Sequence, residues 1–367
     1  MQLRSQQDTR AKVHVRAAGG VGAGGVDLHA CTGGERPFLR ADATPEPLRA
    51  MAGLAAPRMS RIASRFAQLA VLGASSCLRP LDSPASPGTR VYLGTGLGDV
   101  AATDALYYCV MPPMSEAPPP ARFATSGNNM AAFFVSQYAQ LNSRNLTLSH
   151  AELSFECALD LALSDLSTGA AEAALVGGVD ETTLPREFYT RRFPVASDQL
   201  IGEGSGWLLL DPASAAADAV APALGAITGV RLLPSPSSPG AASWATQVMD
   251  ALNGLAPARP GLTLIAGCST EAAEIAAVAA RLPNCEHYGY LPHSGRFPTA
   301  SALGIAGLFA PRSPTARSCL HVNRDASGRT GLVMIEVYGG SWSTAPMVRK
   351  TSSSRRAHSN NICASES

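Results

Sequence analysis

The sequence carries almost no net charge: 29 Lys and Arg against 28 Asp and Glu leave +1 over 367 residues. No global field draws it to nucleic acid or to an anionic membrane. It has no CxxC pair. Its eight cysteines (Cys31, Cys77, Cys109, Cys157, Cys268, Cys285, Cys319, Cys363) are scattered singly, and its seven histidines are dispersed. That argues against a zinc site or a disulfide framework and favours a reducing, cytoplasmic compartment. The N-terminus has charges but no continuous apolar segment, so no signal peptide is expected. No apolar run is long enough for a membrane span. What is present is core-forming material: 46% of residues are hydrophobic, in a length that suits one large domain or two halves sharing a core.

The most informative stretch is residues 146–179. Residues 146–149 have a strand pattern, and a sharp turn follows at His150-Ala151-Glu152. Residues 153–166 then place Phe155, Ala158, Leu159, Ala162, Leu163 and Leu166 at the spacing of one buried helix face. Residues 173–179 read as a second strand, apolar on both faces and carrying two glycines. A strand, elbow and helix put the elbow residue at a helix N-terminus, where free N–H groups and the dipole favour negative charge. Enzymes use such elbows to hold a nucleophile; here the elbow holds Glu152.

Around this stretch, residues 12–16 read as an edge or first strand. The glycine run 19–25 lacks the spacing of a phosphate-binding loop and reads as a flexible turn. Residues 58–72 form an amphipathic helix with a solvated arginine face. Residues 91–98 are a strand entering a glycine turn, and residues 100–110 a helix followed by a proline-rich loop. Residues 262–266 are a buried strand, and the polar residues from 341 onward a disordered tail.

Residues 146–179 resemble the nucleophile region of the β-ketoacyl synthases of the thiolase superfamily, whose pattern is roughly T-V-S-x-A-C-A-S, a helix, then A-L-V-G-G. Thr147, Ser149, Ala151 and Ser154 match, as do Ala174 to Gly178. Gly94-Thr95-Gly96-Leu97-Gly98 is similar to the family's G-T-G-x-G, Asn128 to a recurrent Asn, and Gly202-Glu203-Gly204-Ser205-Gly206 to its G-E-G-A-G. Residues 323–328 match its final glycine-rich turn weakly. The resemblance covers residues 55–340 and is strongest over 123–211. It implies an α/β, thiolase-like fold: two duplicated βαβαβ-type halves packed as a layered α-β-α-β-α sandwich. The expected organisation is a divergent N-terminal segment (1–54), two ketosynthase-like halves (55–212 and 213–340) and the tail (341–367). Gly177, Gly178, Gly202, Gly204 and Gly206 are its expected structural glycines.

The same alignment places the family's catalytic Cys on Glu152, its first His on Ala266 and its second on Pro298, with His293 on its Lys. A condensing enzyme needs a thiolate to accept the acyl group and two His to stabilise the enolate formed on decarboxylation. Losing one oxyanion donor costs about 10² to 10³ in rate, so no catalytic residue of that kind is expected here. The resemblance narrows to the chain-length factors, non-catalytic partners of active ketosynthases in type II polyketide, aryl polyene and related systems. It implies a heterodimer with an active ketosynthase, and an acyl carrier protein whose phosphopantetheine thioester the partner processes. It implies no cofactor of the chain's own, no metal and no nucleic acid. Thr103, Leu106, Tyr107 and Val110 are candidate lining of the acyl tunnel or, equally, ordinary packing of a helix face. The competing reading is a divergent acyltransferase, decarboxylase or thioester hydrolase working through Glu152 or a relocated Cys such as Cys157 or Cys268.

Overall fold

In a computed structural model, residues 12–22, 38–39, 63–81, 84–111, 117, 120–192, 200–213, 222–236, 240–255, 261–267, 270, 272–309 and 316–339 are described. The strands, in chain order, are β1 (Val13–Val21), β2 (Phe38–Leu39), β3 (Arg90–Gly94), β4 (Asn145–Leu148), β5 (Ala174–Asp180), β6 (Ile201–Gly202) and β7 (Gly204–Pro212). They continue with β8 (Gly225–Leu233), β9 (Leu262–Ala266), β10 (Glu286–Gly289), β11 (Arg317–Arg324) and β12 (Thr330–Val337). The helices are α1 (Arg65–Leu78), α2 (Val100–Val110), α3 (Pro120–Thr125), α4 (Met130–Tyr138) and α5 (Ser154–Ser167). After them come α6 (Arg186–Arg192), α7 (Ala241–Leu255), α8 (Ala272–Ala279), α9 (Leu291–Ser294) and α10 (Ala300–Leu308). β2 and β6 pair with each other; the other ten strands form one sheet in the order β10-β9-β11-β12-β8-β1-β7-β5-β3-β4.

That order is a duplication. β1-β7-β5-β3-β4 pair antiparallel, antiparallel, parallel, parallel. β8-β12-β11-β9-β10 repeat the same sequence of pairings. β1 and β8, the first strand of each unit, join the two units antiparallel. The parallel strands need crossover connections, and helices supply them.

Layering follows from which side chains each strand sends to which face. Leu208 and Leu210 of β7 join α5 and α10 in one core, whereas Trp207 and Leu209 join α1 and α4 in another. In the second unit, Val333, Ile335 and Val337 of β12 face the α5–α10 core, and Leu332 and Met334 face α7 and α8. The strict alternation of strand side chains therefore covers the sheet on both faces. α5 and α10 form the shared central layer, α1 with α4 and α7 with α8 the outer ones. This is the mixed α/β, thiolase-like architecture expected from the sequence.

Two local expectations are corrected. The first concerns the glycine run. Residues 13–21 form the first strand, one of the two readings expected, at the centre of the sheet rather than its edge, and Gly19 and Gly20 belong to it rather than to a flexible turn. Its glycines serve close approach: a Cβ on Gly19 would lie 2.5 Å from the Cys77 backbone nitrogen in α1. Ala23, Gly24 and Gly25 lie outside the described residues. β1 pairs with β7 of the first unit and β8 of the second. The second is the first helix, which ends at Leu78 rather than 72. Ser64 caps its start by accepting from the Ala67 N–H at 3.2 Å, and Gly73 sits inside it, against Ser205 and Trp207.

The expected structural glycines occupy crowded positions. A Cβ on Gly177 would collide with the buried Trp207 ring, and one on Gly206 with the Ala302 backbone of α10. Gly178, Gly202 and Gly204 are buried as well. Residues 193–199 and the tail from 340 lie outside the described residues.

Candidate functional site

The elbow lies between β4 and α5, at residues 149–153. Its strained residue is Ala151, whose φ of 49° is left-handed. A non-glycine residue there costs of order 1–3 kcal/mol and needs its surroundings to hold it. Ser154 does much of the holding. Its hydroxyl accepts from the His150 N–H at 2.7 Å and lies 2.7 Å from the Ala151 carbonyl and 3.0 Å from the Thr95 carbonyl, both acceptors. Glu152 follows, 1% exposed, and its backbone carbonyl accepts from Asn323 Nδ2 at 2.7 Å.

Contacts link Pro298 and Ala266 to the elbow. Gly96, in the turn after β3, is enclosed by the Pro298 ring on one side and the Ala151 carbonyl on the other; a Cβ there would meet both. Ala266 ends β9, and the next residue, Gly267, abuts Asn323, the residue that holds the Glu152 carbonyl. Pro298 thus lies beside the turn that meets the elbow carrying Glu152, and Ala266 is one residue from Gly267, which abuts the Asn323 that holds the Glu152 carbonyl. Ala266 offers a methyl group and Pro298 a ring without an N–H, so neither side chain can donate to a developing oxyanion.

Asp180, at the end of β5, holds this locus together. Its Oδ1 accepts from Thr95 Oγ1 at 2.9 Å and from the N–H groups of Gly96 (3.1 Å) and Leu97 (2.9 Å). Its Oδ2 accepts from the N–H of Thr299 at 3.0 Å and its Oγ1 at 2.8 Å. Burial pushes the carboxyl up to about 6, while these donors hold it down. Thr299 is the N-cap of α10, so the helix dipole adds to the stabilisation of the anion.

The thiols are poor nucleophiles. Burial, then the nearby Glu156 and Asp160, push Cys157 up to about 11. Burial raises Cys319 to about 11 and Cys77 to about 12. None is poised as a thiolate. Cys268 lies outside the described residues. His293 sits exposed on α9. Among the described residues no group of three His, Cys, Asp or Glu is placed to hold a metal ion.

The tunnel candidates lie on α2, a helix that buries none of its side chains. Thr103, Tyr107 and Val110 are exposed and Leu106 is half-buried, so within the single chain they face outward. Tyr108, Met111, Phe123 and Phe133, on the same helices or next to them, are exposed apolar side chains as well, Tyr108 at 65% and Phe123 at 69%.

Sequence reasoning missed Asp180, Glu156, His321 and Asn323. The available signal was a charged residue ending or interrupting an otherwise apolar element, as in Ala-Leu-Val-Gly-Gly-Val-Asp of β5.

Residues 48–192 match the family model described as the β-ketoacyl synthase N-terminal domain. No curated protein matches the chain. Solved structures match it over most of its length. The ishigamide ketosynthase/chain length factor is 20% identical with a TM-score of 0.72, covering 89% of this chain and 100% of that one. A type II polyketide synthase acyl-carrier protein in complex with its ketosynthase gives 15% identity and a TM-score of 0.71, over 90% and 100%. A β-ketoacyl synthase from Burkholderia phymatum STM815 gives 15% and 0.70, over 89% and 100%. The fold of the chain is that of these solved ketosynthase structures, and its residues 48–192 are similar to the β-ketoacyl synthase N-terminal domain. No helix among the described residues is long and apolar enough to cross a membrane.

Proposed function

We propose that this chain is a non-catalytic, chain-length-factor-like subunit. It pairs with an active β-ketoacyl synthase in cytoplasmic polyketide, aryl polyene or related fatty-acid-like biosynthesis, and it shapes the acyl tunnel of the pair. The observation that carries the reading is the elbow. Its frame is intact, with the left-handed Ala151, the Ser154 stitch and the Asp180 brace, yet it presents Glu152, with Ala266 and Pro298 at the other two aligned positions. A frame kept without nucleophile or oxyanion donors suits a partner's architecture better than chemistry of its own.

The outward face of α2, α3 and α4 supports the pairing. Large aromatic and aliphatic side chains left exposed on these helices suit an interaction surface. A tunnel lined by Thr103, Leu106, Tyr107 and Val110 needs a second surface to close it, and a ketosynthase seated on this face supplies one. The partner contributes the cysteine and both histidines and takes its substrate from the phosphopantetheine thioester of an acyl carrier protein. This chain then needs no cofactor.

The test is co-expression with candidate ketosynthases, native mass spectrometry, and elongation from malonyl-loaded carrier protein. The expected result is a one-to-one complex whose activity survives Glu152→Ala and Glu152→Gln but not loss of the partner's cysteine. A chain that forms an acyl adduct or turns over a thioester alone, in a Glu152-dependent way, refutes the reading and establishes the acyltransferase alternative.

A further inference from the structure

One turn beyond the elbow, α5 carries a second buried carboxyl, Glu156, in a cluster that the proposed function does not use. Five elements meet there. Asn323 Nδ2, on β11, donates to Glu156 Oε1 at 2.9 Å and with its other hydrogen to the Glu152 carbonyl at 2.7 Å. His321, also on β11, places Nδ1 3.8 Å from the same Oε1. Its Nε2 lies 3.1 Å from the hydroxyl of Tyr290, just before α9, and the two rings stack at 5.9 Å. Ser301 of α10 lies against the carboxyl, and Gly331 of β12 closes the space, with room for a Cβ only 3.0 Å from Glu156 Cγ. Glu156, His321, Asn323 and Ser301 are all buried.

A protonation pattern follows from donors and acceptors. Tyr290 donates its hydroxyl proton to His321 Nε2, which leaves the proton of a neutral imidazole on Nδ1, facing Glu156 Oε1. Oε1 accepts from Asn323, and His321 Nδ1 faces it at 3.8 Å without a hydrogen bond. The other oxygen, Oε2, is buried without a hydrogen-bond partner, where a negative charge would be unsolvated, and it carries the proton. In this arrangement Glu156 and His321 are both neutral, which avoids the cost of a buried, incompletely paired ion pair. The polar groups packed against Glu156 are His321 and Asn323 on β11 and Ser301 on α10, with Tyr290 behind His321. None of them is a Lys or Arg that would hold a carboxylate in place. Burial pushes Glu156 up to about 7 and His321 down to about 3, in the direction the geometry requires.

We propose that Glu156 is the positioning residue of the elbow, a neutral carboxylic acid that orients Asn323 onto the Glu152 carbonyl. The C-terminal unit thereby grips the elbow of the N-terminal unit. The inference stands on the chain's own interior and holds whether or not the chain pairs with a ketosynthase.

Gln reproduces the neutral acid: it is uncharged at every pH and its oxygen accepts from Asn323 as Glu156 Oε1 does. Full-length protein, Glu156→Gln and Glu156→Ala are compared by urea denaturation from pH 4.5 to 8, with amide hydrogen exchange at His150 reporting on the elbow. At acid pH, Glu156→Gln is expected to match the wild type and keep the His150 amide protected, while Glu156→Ala loses both. As pH rises, the wild type must ionise Glu156 and the Gln variant must not. The folding constant of Glu156→Gln relative to wild type should therefore rise about 300-fold across the window between the ordinary 4.5 and about 7. A folded Glu156→Gln that shows no such pH-dependent gain, or that exposes His150 as Glu156→Ala does, overturns the proposal. If Glu156→Gln yields no folded protein, the wild type decides: histidine NMR at pH 6, with His321 assigned through its contact to Tyr290, should show a neutral Nδ1–H tautomer. An imidazolium there overturns the proposal.

Discussion

Replacing Asp180 by Ala tests whether the elbow is braced as described. The carboxylate satisfies five donors: Thr95 Oγ1, the N–H groups of Gly96, Leu97 and Thr299, and Thr299 Oγ1. The site is fully buried, and a buried donor left unmade costs about 1–3 kcal/mol. Water entering the new space recovers part of this, so a net loss of roughly 4 kcal/mol or more is expected, against a typical total stability of about 5–15 kcal/mol. Asp180→Asn is the graded control. Its oxygen can keep the three donors on the Thr95–Leu97 side, while its amide faces the Thr299 N–H, for a loss of about 1–3 kcal/mol. Urea denaturation followed by tryptophan fluorescence reads both changes, because Trp207 packs on Gly177 of the same strand. An Asp180→Ala protein within about 1 kcal/mol of wild type would refute the brace, since no unmade buried donors are that cheap.

Other perturbations address the packing and the outward face. Gly177→Ala drives a methyl group into the Trp207 ring, and overpacking of this kind costs about 1–3 kcal/mol, occasionally more; the urea midpoint should fall accordingly and Trp207 emission should shift. Tyr107→Ser with Phe123→Ser removes two exposed rings from the α2–α3 face. Stability should stay within about 0.5 kcal/mol of wild type, while affinity for the ketosynthase, measured by titration calorimetry, falls at least about tenfold, or about 1.4 kcal/mol. Unchanged affinity would remove the face from the proposed interface.

Much was legible in the residue order because it depends on local pattern. The strand, turn and helix over residues 145–167, the apolar β5 and the helix from Val100 to Val110 follow from hydrophobic period and turn chemistry, which neighbours in the chain decide. The identities at Glu152, Ala266 and Pro298 are written in the sequence, and so is the absence of thiol and imidazole at those positions. Position is another matter. Gly19 and Gly20 read as a loop because glycine clusters usually mark one; only the approach of α1 and α10 to a central strand makes them the residues that fit there. The outward aspect of α2 could not be read from its pattern, since a helix with apolar residues all round gives no direction by periodicity alone.

The sequence by itself determined which groups are available at the elbow and that each half folds through one strand–helix pattern. Only the tertiary structure decided how the halves interlock. Asp180, Thr299 and Gly96 are far apart in the chain, and the pair Glu152 and Glu156 is far from the pair His321 and Asn323. Their pairing exists because a duplicated sheet places α5 and α10 side by side in one buried layer. In that layer the protein's low polarity makes every polar group find a partner or give up its charge. Such partnering depends on distance in space, which no spacing along the chain encodes.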